Sequence, residues 1–317
     1  MKRTCGIGGQ AVLEGIMMKN KEKYAVAVRK PDKEIELMVD EYKGFSDGKK
    51  ILSLPFIRGI FNFVDSMILG IKTLMYSSQF YEEEEEKESE KKSESRTEDI
   101  IMGFTVILSV IFSVALFIVL PYFLSEFLKN SMHISSNTVL SIVEGIVRIA
   151  IFVLYIVLIS MMKDIKRTYM YHGAEHKCIN CIEDGKELNV ENVRSSSRLH
   201  RRCGTSFLFL VMFISIAAFI LVSALLPQGA GKLVKVVVRL LLVPVIAGVS
   251  YEVLRLAGKN DSLIVRIISA PGMALQKLTT KEPDDSMIEV AIQAVEAVFD
   301  WKEYRKEIGI ELENQEI

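Results

Sequence analysis

Residues 100–125, IIMGFTVILSVIFSVALFIVLPYFLS, run without a single Asp, Glu, Lys or Arg. A bilayer core about 30 Å thick needs about 20 apolar residues in helical form to cross it. This stretch therefore predicts a transmembrane span, and it decides the class of fold. Residues 204–231 are equally free of charge before Lys232. Two further apolar runs carry charges near their ends: Glu144 and Arg148 within 138–162, and Lys235, Arg239 and Glu252 within 233–256. Opposite charges one helical turn apart, as at Glu144 and Arg148, lower the cost of insertion. The chain of 317 residues is 50% hydrophobic and 25% charged, and the apolar residues are bunched rather than spread. The pattern predicts a mainly α membrane protein with about four transmembrane helices, a small N-terminal β-containing cytoplasmic unit and a C-terminal amphipathic helix.

The loops set the orientation. Nine Lys and Arg residues fall between 163 and 203, whereas the 126–137 connection holds Lys129 and the one after Pro227 holds Lys232. The positive-inside rule then places 163–203 and both termini in the cytoplasm of a multi-pass cell-membrane protein. It also puts Glu144, Arg148, Lys235 and Arg239 toward the outer leaflet, where Glu144 can pair with Arg239 across helices. Net charge is −1 and there is no broad basic field, so nucleic acid is not an expected partner. The lipid bilayer is. A cytoplasmic protein partner and a homo-oligomer both stay open.

Outside the four-span region, 100–257, the chain divides by composition. Within residues 1–50, Tyr24–Val28 and Glu34–Val39 alternate around a Lys30–Lys33 turn and read as a hairpin, with Gly15–Met18 as a third strand. Gly8 and Gly9 read as a turn in preference to a phosphate-cradling loop. No apolar run precedes Lys19–Lys23, so no cleaved signal peptide is expected. Residues 53–78 form a helix opened by Pro55, apolar apart from a stripe of Arg58, Asn62, Asp65 and Lys72, and suited to the membrane interface. Residues 82–99 are a charged linker or charged helix. In 258–317, Pro283–Ser286 open a helix with Ile288, Val290, Ile292, Val295, Val298 and Phe299 on its apolar positions.

The chemistry-bearing residues cluster. Of four histidines in the chain, His172, His176 and His200 lie in the 163–203 segment. His172 and His176 share a helix face at i,i+4 with Glu175 between them, giving H-x-x-E-H. That order can supply two imidazoles to Zn²⁺ and a carboxylate as general base. A third ligand would come from His200, Cys203, Cys181 or Glu183. A second reading uses Cys178, Cys181, His200 and Cys203 as a closed, four-ligand zinc ribbon. A third needs no metal: the histidines bond to backbone or phosphate, and Glu175 pairs with Lys177 or Arg167. Four cysteines so distributed do not suggest a disulfide scaffold.

These motifs carry a family resemblance. Gly8, Gly9, Gln10, Ala11, Val12, Glu14, Gly15, Met17 and Met18 resemble the opening signature of the DUF1385 family of YqhQ-like bacterial membrane proteins. Tyr171–Lys177, His200 with Arg202–Ser206, and Thr279–Asp285 resemble its later signatures, in order. The resemblance implies a metal-dependent membrane enzyme of unknown substrate. It also implies a Cys at the position of Cys181 but not regularly at that of Cys178, which moves weight to His172, His176, His200 and Cys203 as ligands. The expected function is a zinc-dependent, hydrolase-type enzyme with its site at the cytoplasmic membrane surface and Glu175 as base or orienter. The alternatives are a non-enzymatic scaffold or assembly factor with a structural zinc loop, and a transporter using the Glu144, Arg148 and Arg239 charges.

Overall fold

Four antiparallel strands, β1 (Gly8–Val12), β2 (Gly15–Asn20), β3 (Lys23–Arg29) and β4 (Ile35–Glu41), form a meander in the order β1-β2-β3-β4. Gly8 and Gly9 are strand residues paired with Lys19 and Met18, so the turn expected there falls instead at Leu13–Glu14. Gly15 follows, where a Cβ would lie 2.4 Å from the Ala27 carbonyl oxygen. The period-two alternation sorts the side chains: Ile16, Met18, Ala25 and Ala27 face one way, and Val12, Met17, Tyr24, Val26 and Val28 the other. Both faces are covered. The computed structural model describes residues 4–45, 49, 51–82, 95–133, 136–226, 231–259 and 262–309. Residues 83–94 of the expected charged linker lie outside that set.

Helix α1 (Ile57–Glu82) covers the second face, burying Asp65, Leu69, Thr73 and Ser77. Its opposite side leaves Phe63, Val64, Met67, Ile68 and Leu74 exposed. The chain continues as α2 (Ser95–Val114), a π-turn (Ala115–Val119), α3 (Leu120–Met132) and α4 (Asn137–Ile159). Then come α5 (Lys163–Glu183), α6 (Val190–Ser195), α7 (Gly204–Leu225), α8 (Lys232–Lys259) and α9 (Leu263–Thr279). Helices α10 (Asp285–Glu296) and α11 (Trp301–Glu307) end the described chain.

Among the described residues, four helices are long and apolar enough to cross a membrane: Gly103–Ser131, Thr138–Ile159, Gly204–Leu225 and Lys232–Leu256. The first runs past the expected end at Ser125, carrying Glu126 and Lys129 into its last turns. It also contains Pro121, which has no N–H to give to its helical partner, the Phe117 carbonyl. Arg148 fills that gap: its Nε donates to the Phe117 oxygen at 2.9 Å. The π-turn just before the proline widens the helix there.

Arg148 is part of a buried network. Its Nη2 donates to Glu144 Oε1 at 2.8 Å, and Arg239 on α8 donates through Nη2 to Glu144 Oε2 at 2.7 Å. The Glu144–Arg239 pair expected from sequence therefore forms. The guanidinium groups also sit over aromatic rings, Arg239 over Tyr122 and Phe219, and Arg148 over Phe219. The network ties the first span to α4 and α8.

Beyond the spans, α5 and α10 cover the first face of the sheet. Asp284 caps α10 by accepting from the Met287 amide at 3.0 Å. The helix buries Met287, Ile288, Val290, Ala291, Ala294 and Val295, each large side chain contributing about 1.5–3 kcal/mol before entropy is subtracted. This is the amphipathic C-terminal helix expected from sequence, and its partner is the N-terminal sheet. Helix α9, which the sequence reading passed over, packs along α7.

Glu144→Gln strips both guanidinium groups of their carboxylate and should lower stability by about 3–5 kcal/mol in chemical denaturation of the detergent-solubilised chain. Arg194→Gln, which breaks an exposed pair with Asp285, should leave the midpoint in place. Equal, small effects of the two would show that the network is dispensable.

Candidate metal centre

Helix α5 does not continue from α4. Residues 160–162 break the run; Met162 is extended, and α5 restarts with Asp164 in its first turn. The restart matters because α5 lies on the sheet rather than along the span. The β1–β2 turn fastens its first half: Arg167 and Tyr171 both donate to the Glu14 carboxylate.

His172 and His176 project from one face of α5, with ring centroids 4.4 Å apart. The His172 Nδ1 lies 2.9 Å from the Thr279 carbonyl oxygen, and the His176 Nδ1 lies 2.7 Å from that of Arg198. A carbonyl can only accept, so each Nδ1 carries the hydrogen and each Nε2 presents its lone pair. Cys203 Sγ is 3.3 Å from His172 Nε2. The ligand atoms of His172, His176 and Cys203 all lie within 4.8 Å of one another. Bond lengths of about 2.0–2.1 Å to nitrogen and 2.3 Å to sulfur imply a nitrogen–sulfur spacing of about 3.5 Å around tetrahedral zinc. The donor set and its spacing fit that ion.

Three pieces of chain converge on α5 to set the triad. Gly173 admits the first: a Cβ there would meet the Lys281 carbonyl oxygen at 2.0 Å. The 279–281 strand crosses α5 at that point, the Lys281 amide donating to the Tyr169 carbonyl at 2.8 Å. The Thr279 carbonyl is thereby set on His172. Lys177 and Asn180 hold the second segment. Lys177 Nζ donates to the Arg194 and Ser196 carbonyls, both at 2.9 Å, and Asn180 Nδ2 to those of Ser197 and Leu199. Glu282 then pairs with Lys177 at 2.9 Å and Arg198 at 3.2 Å. Cys203 is the N-cap of α7, its sulfur accepting from the Thr205 amide at 3.4 Å. Gln276 of α9 grips the main chain of His200 on both sides, accepting from its amide at 2.9 Å and donating to its carbonyl at 2.7 Å. Gln276 was not singled out from sequence. Its signal was its spacing four residues from Gly272 and Thr280, where Gly272 packs directly on Ser206.

The structure sorts the remaining sequence-derived residues. His200 sits beside the triad, 5.8 Å from His176 between centroids, but its Nε2 lies 3.4 Å from Glu183. Burial holds its imidazole below the ordinary value despite that carboxylate. Burial opposes the charge on Glu183, yet His200, Arg202 and the Cys5 amide together hold its carboxyl below the usual range. Cys178 and Cys181 lie in the apolar core under the sheet, not with Cys203. Burial pushes the Cys181 thiol up to about 11 and the Cys178 thiol well above its ordinary value. The four-ligand ribbon is thus not assembled.

Glu175 also stands outside the triad, beside His172 and backed by the Gly9 amide. It pairs with neither Lys177 nor Arg167, both of which are engaged elsewhere. Nor does it orient a histidine through Nδ1, since carbonyls occupy both positions. A Cβ on Gly9 would come within 3.1 Å of the Glu175 carboxyl carbon, so the strand can approach only as glycine. Burial pushes the Glu175 carboxyl up to about 6. Its Oε2 and the Thr279 hydroxyl are buried without a partner. Both atoms belong to residues that interact with His172, and each is a buried polar group left to be satisfied.

Residues 54–301 match the family model described as "Protein of unknown function (DUF1385)". The chain belongs to the DUF1385 family. A relative in Bacillus subtilis (strain 168), named "Uncharacterized protein YqhQ", is 36% identical over 291 residues, covering 90% of each chain. No solved structure matches the chain. The stretches of this DUF1385 chain that resembled family signatures are those that converge here: the Gly9 strand, the α5 histidines, the Cys203 cap and the Thr279 crossing.

Gly173→Ala should displace the Lys281 strand and cost about 1–3 kcal/mol in denaturant unfolding. Gly204→Ala, with no atom within 4 Å of the added carbon, should leave stability unchanged. Equal midpoints would contradict the close crossing.

Proposed function

We propose that this protein is a zinc-dependent, hydrolase-type membrane enzyme, with His172, His176 and Cys203 as its metal ligands. The observation that carries the reading is the triad itself, three donors within 4.8 Å with both imidazoles fixed at Nδ1 and open at Nε2. Among the described residues no fourth His, Cys, Asp or Glu joins the group. Structural zinc sites close with four protein ligands, whereas three leave a position for chemistry. That favours an enzyme over a scaffold with a structural zinc loop. Zinc bound there supplies Lewis acidity for hydrolysis. His172 is half-buried while His176 and Cys203 are buried, so a substrate approaches past His172. Glu175, with one oxygen held by Gly9 and the other free, takes up the proton released by the attacking water.

The crowding of Lys and Arg in 163–203 supports a site on the cytoplasmic side. There α1 lies in the interface with Phe63, Val64, Met67, Ile68 and Leu74 in the lipid. Its Arg58 pairs with Glu252 at the end of α8, which fixes its depth. The enzyme's substrate therefore arrives at, or within, the inner membrane surface.

Metal analysis of the purified chain should find about one zinc per protein. His172→Ala and Cys203→Ala should retain less than about a tenth of it, while Cys178→Ala and Cys181→Ala keep it. Loss with the last two and retention with the first two would support the ribbon instead. A protease-accessible tag at the N-terminus should be cut only in opened cells; cutting in intact cells would reverse the orientation.

A further inference from the structure

At the end of the spans away from the triad lies a small, partly open cavity of about 70 Å³. Tyr122, Glu126, Lys129, Ser141, Lys235 and Arg239 are in its wall. It is built from the last turns of the first span, the first turns of α4 and α8, and the last turns of α7. Its charges do not balance. Glu144 is the single carboxylate shared by Arg148 and Arg239. Among the described residues Lys129 and Lys235 have no ion-pair partner. Three cationic wall residues, Lys129, Lys235 and Arg239, thus stand against Glu126 and a Glu144 already shared with Arg148, between apolar helices where an uncompensated charge is costly.

A second observation points to a ligand. Tyr122, one of the wall residues, is only 2% exposed, and its hydroxyl is buried without a hydrogen-bond partner. An orphaned donor beside unpaired cations defines a site for an oxyanion. Glu126, another wall residue, has a buried and unpartnered Oε1. The volume admits about five waters, or one tetrahedral oxyanion.

We propose that this cavity binds a phosphate group, taken either from a phospholipid headgroup or from free phosphate. Tyr122, Lys129, Lys235 and Arg239 donate to its oxygens, and Glu126 accepts from a hydroxyl or ammonium hydrogen attached to it. The site is independent of the zinc reading, since it shares no residue with the triad.

The test uses the full chain, delipidated in neutral detergent at fixed ionic strength. Binding is titrated with dihexanoylphosphatidylglycerol, with dihexanoylglycerol, which has the same tails without phosphate, and with sodium phosphate. Saturable binding of the phosphatidylglycerol but not of the diacylglycerol is expected. Lys129→Gln with Lys235→Gln should weaken it at least about tenfold, and Tyr122→Phe, which removes one hydroxyl, by about two- to tenfold. Binding of sodium phosphate as well would identify the phosphate alone as the ligand, and its failure would assign the site to lipid. Absence of saturable binding by either phosphate compound would overturn the proposal. So would equal affinity in the wild type and both variants, each with an unchanged unfolding midpoint.

Discussion

Two backbone carbonyls, those of Thr279 and Arg198, set the histidine pair. They come from positions 107 and 22 residues along the chain from the rings they hold. Each takes an Nδ1 hydrogen and leaves the opposite nitrogen facing Cys203. A ring without its carbonyl would be free to turn about its side-chain torsions and to exchange tautomers. The rest of the extramembrane architecture serves this requirement. Gly173 lets the Thr279 strand pass against α5, Lys177 and Asn180 anchor the Arg198 segment, and Glu282 ties the two together.

The triad is also anchored to the spans. Helix α5 restarts three residues after the end of α4, Cys203 caps α7, and Thr279 ends α9. Helices α7 and α9 touch closely at Ser206 and Gly272, with Gln276 donating to Ser206 at 2.8 Å. Farther along α7, Ser215 accepts from Arg148 at 3.2 Å, which joins that helix to the Glu144 network. One helix thus contacts both polar centres, with an apolar length between them. The Phe117 carbonyl that Pro121 leaves without a donor is held by the same Arg148.

The sequence made the spans legible because bilayer thickness imposes a length and a composition that few other structures need. The alternation of Tyr24–Val28 and the acidic cap of α10 were legible for similar local reasons. The i,i+4 spacing of His172 and His176 was legible as well. The third member of the triad was not, because Cys203, His200 and Cys181 all lie in one segment whose path the string of residues does not show. Only the fold shows that Cys181 turns into the sheet core and that Glu183 engages His200. The orienting partners were hidden for a different reason: they are main-chain carbonyls, which carry no residue signature. Gly173 and Gly9 were visible only as glycines, since the backbone that passes them is remote in sequence. Helix α9 was overlooked because Gly272 and Pro271 interrupt its apolar pattern.

The proposed function requires a three-ligand site with one open position. Zinc-edge X-ray absorption of the purified full chain reads that directly. It should show two imidazole nitrogens at about 2.0–2.1 Å, one sulfur at about 2.3 Å and one further light atom not contributed by the protein. Two or more sulfurs in the first shell, or a histidine-free shell, would contradict it.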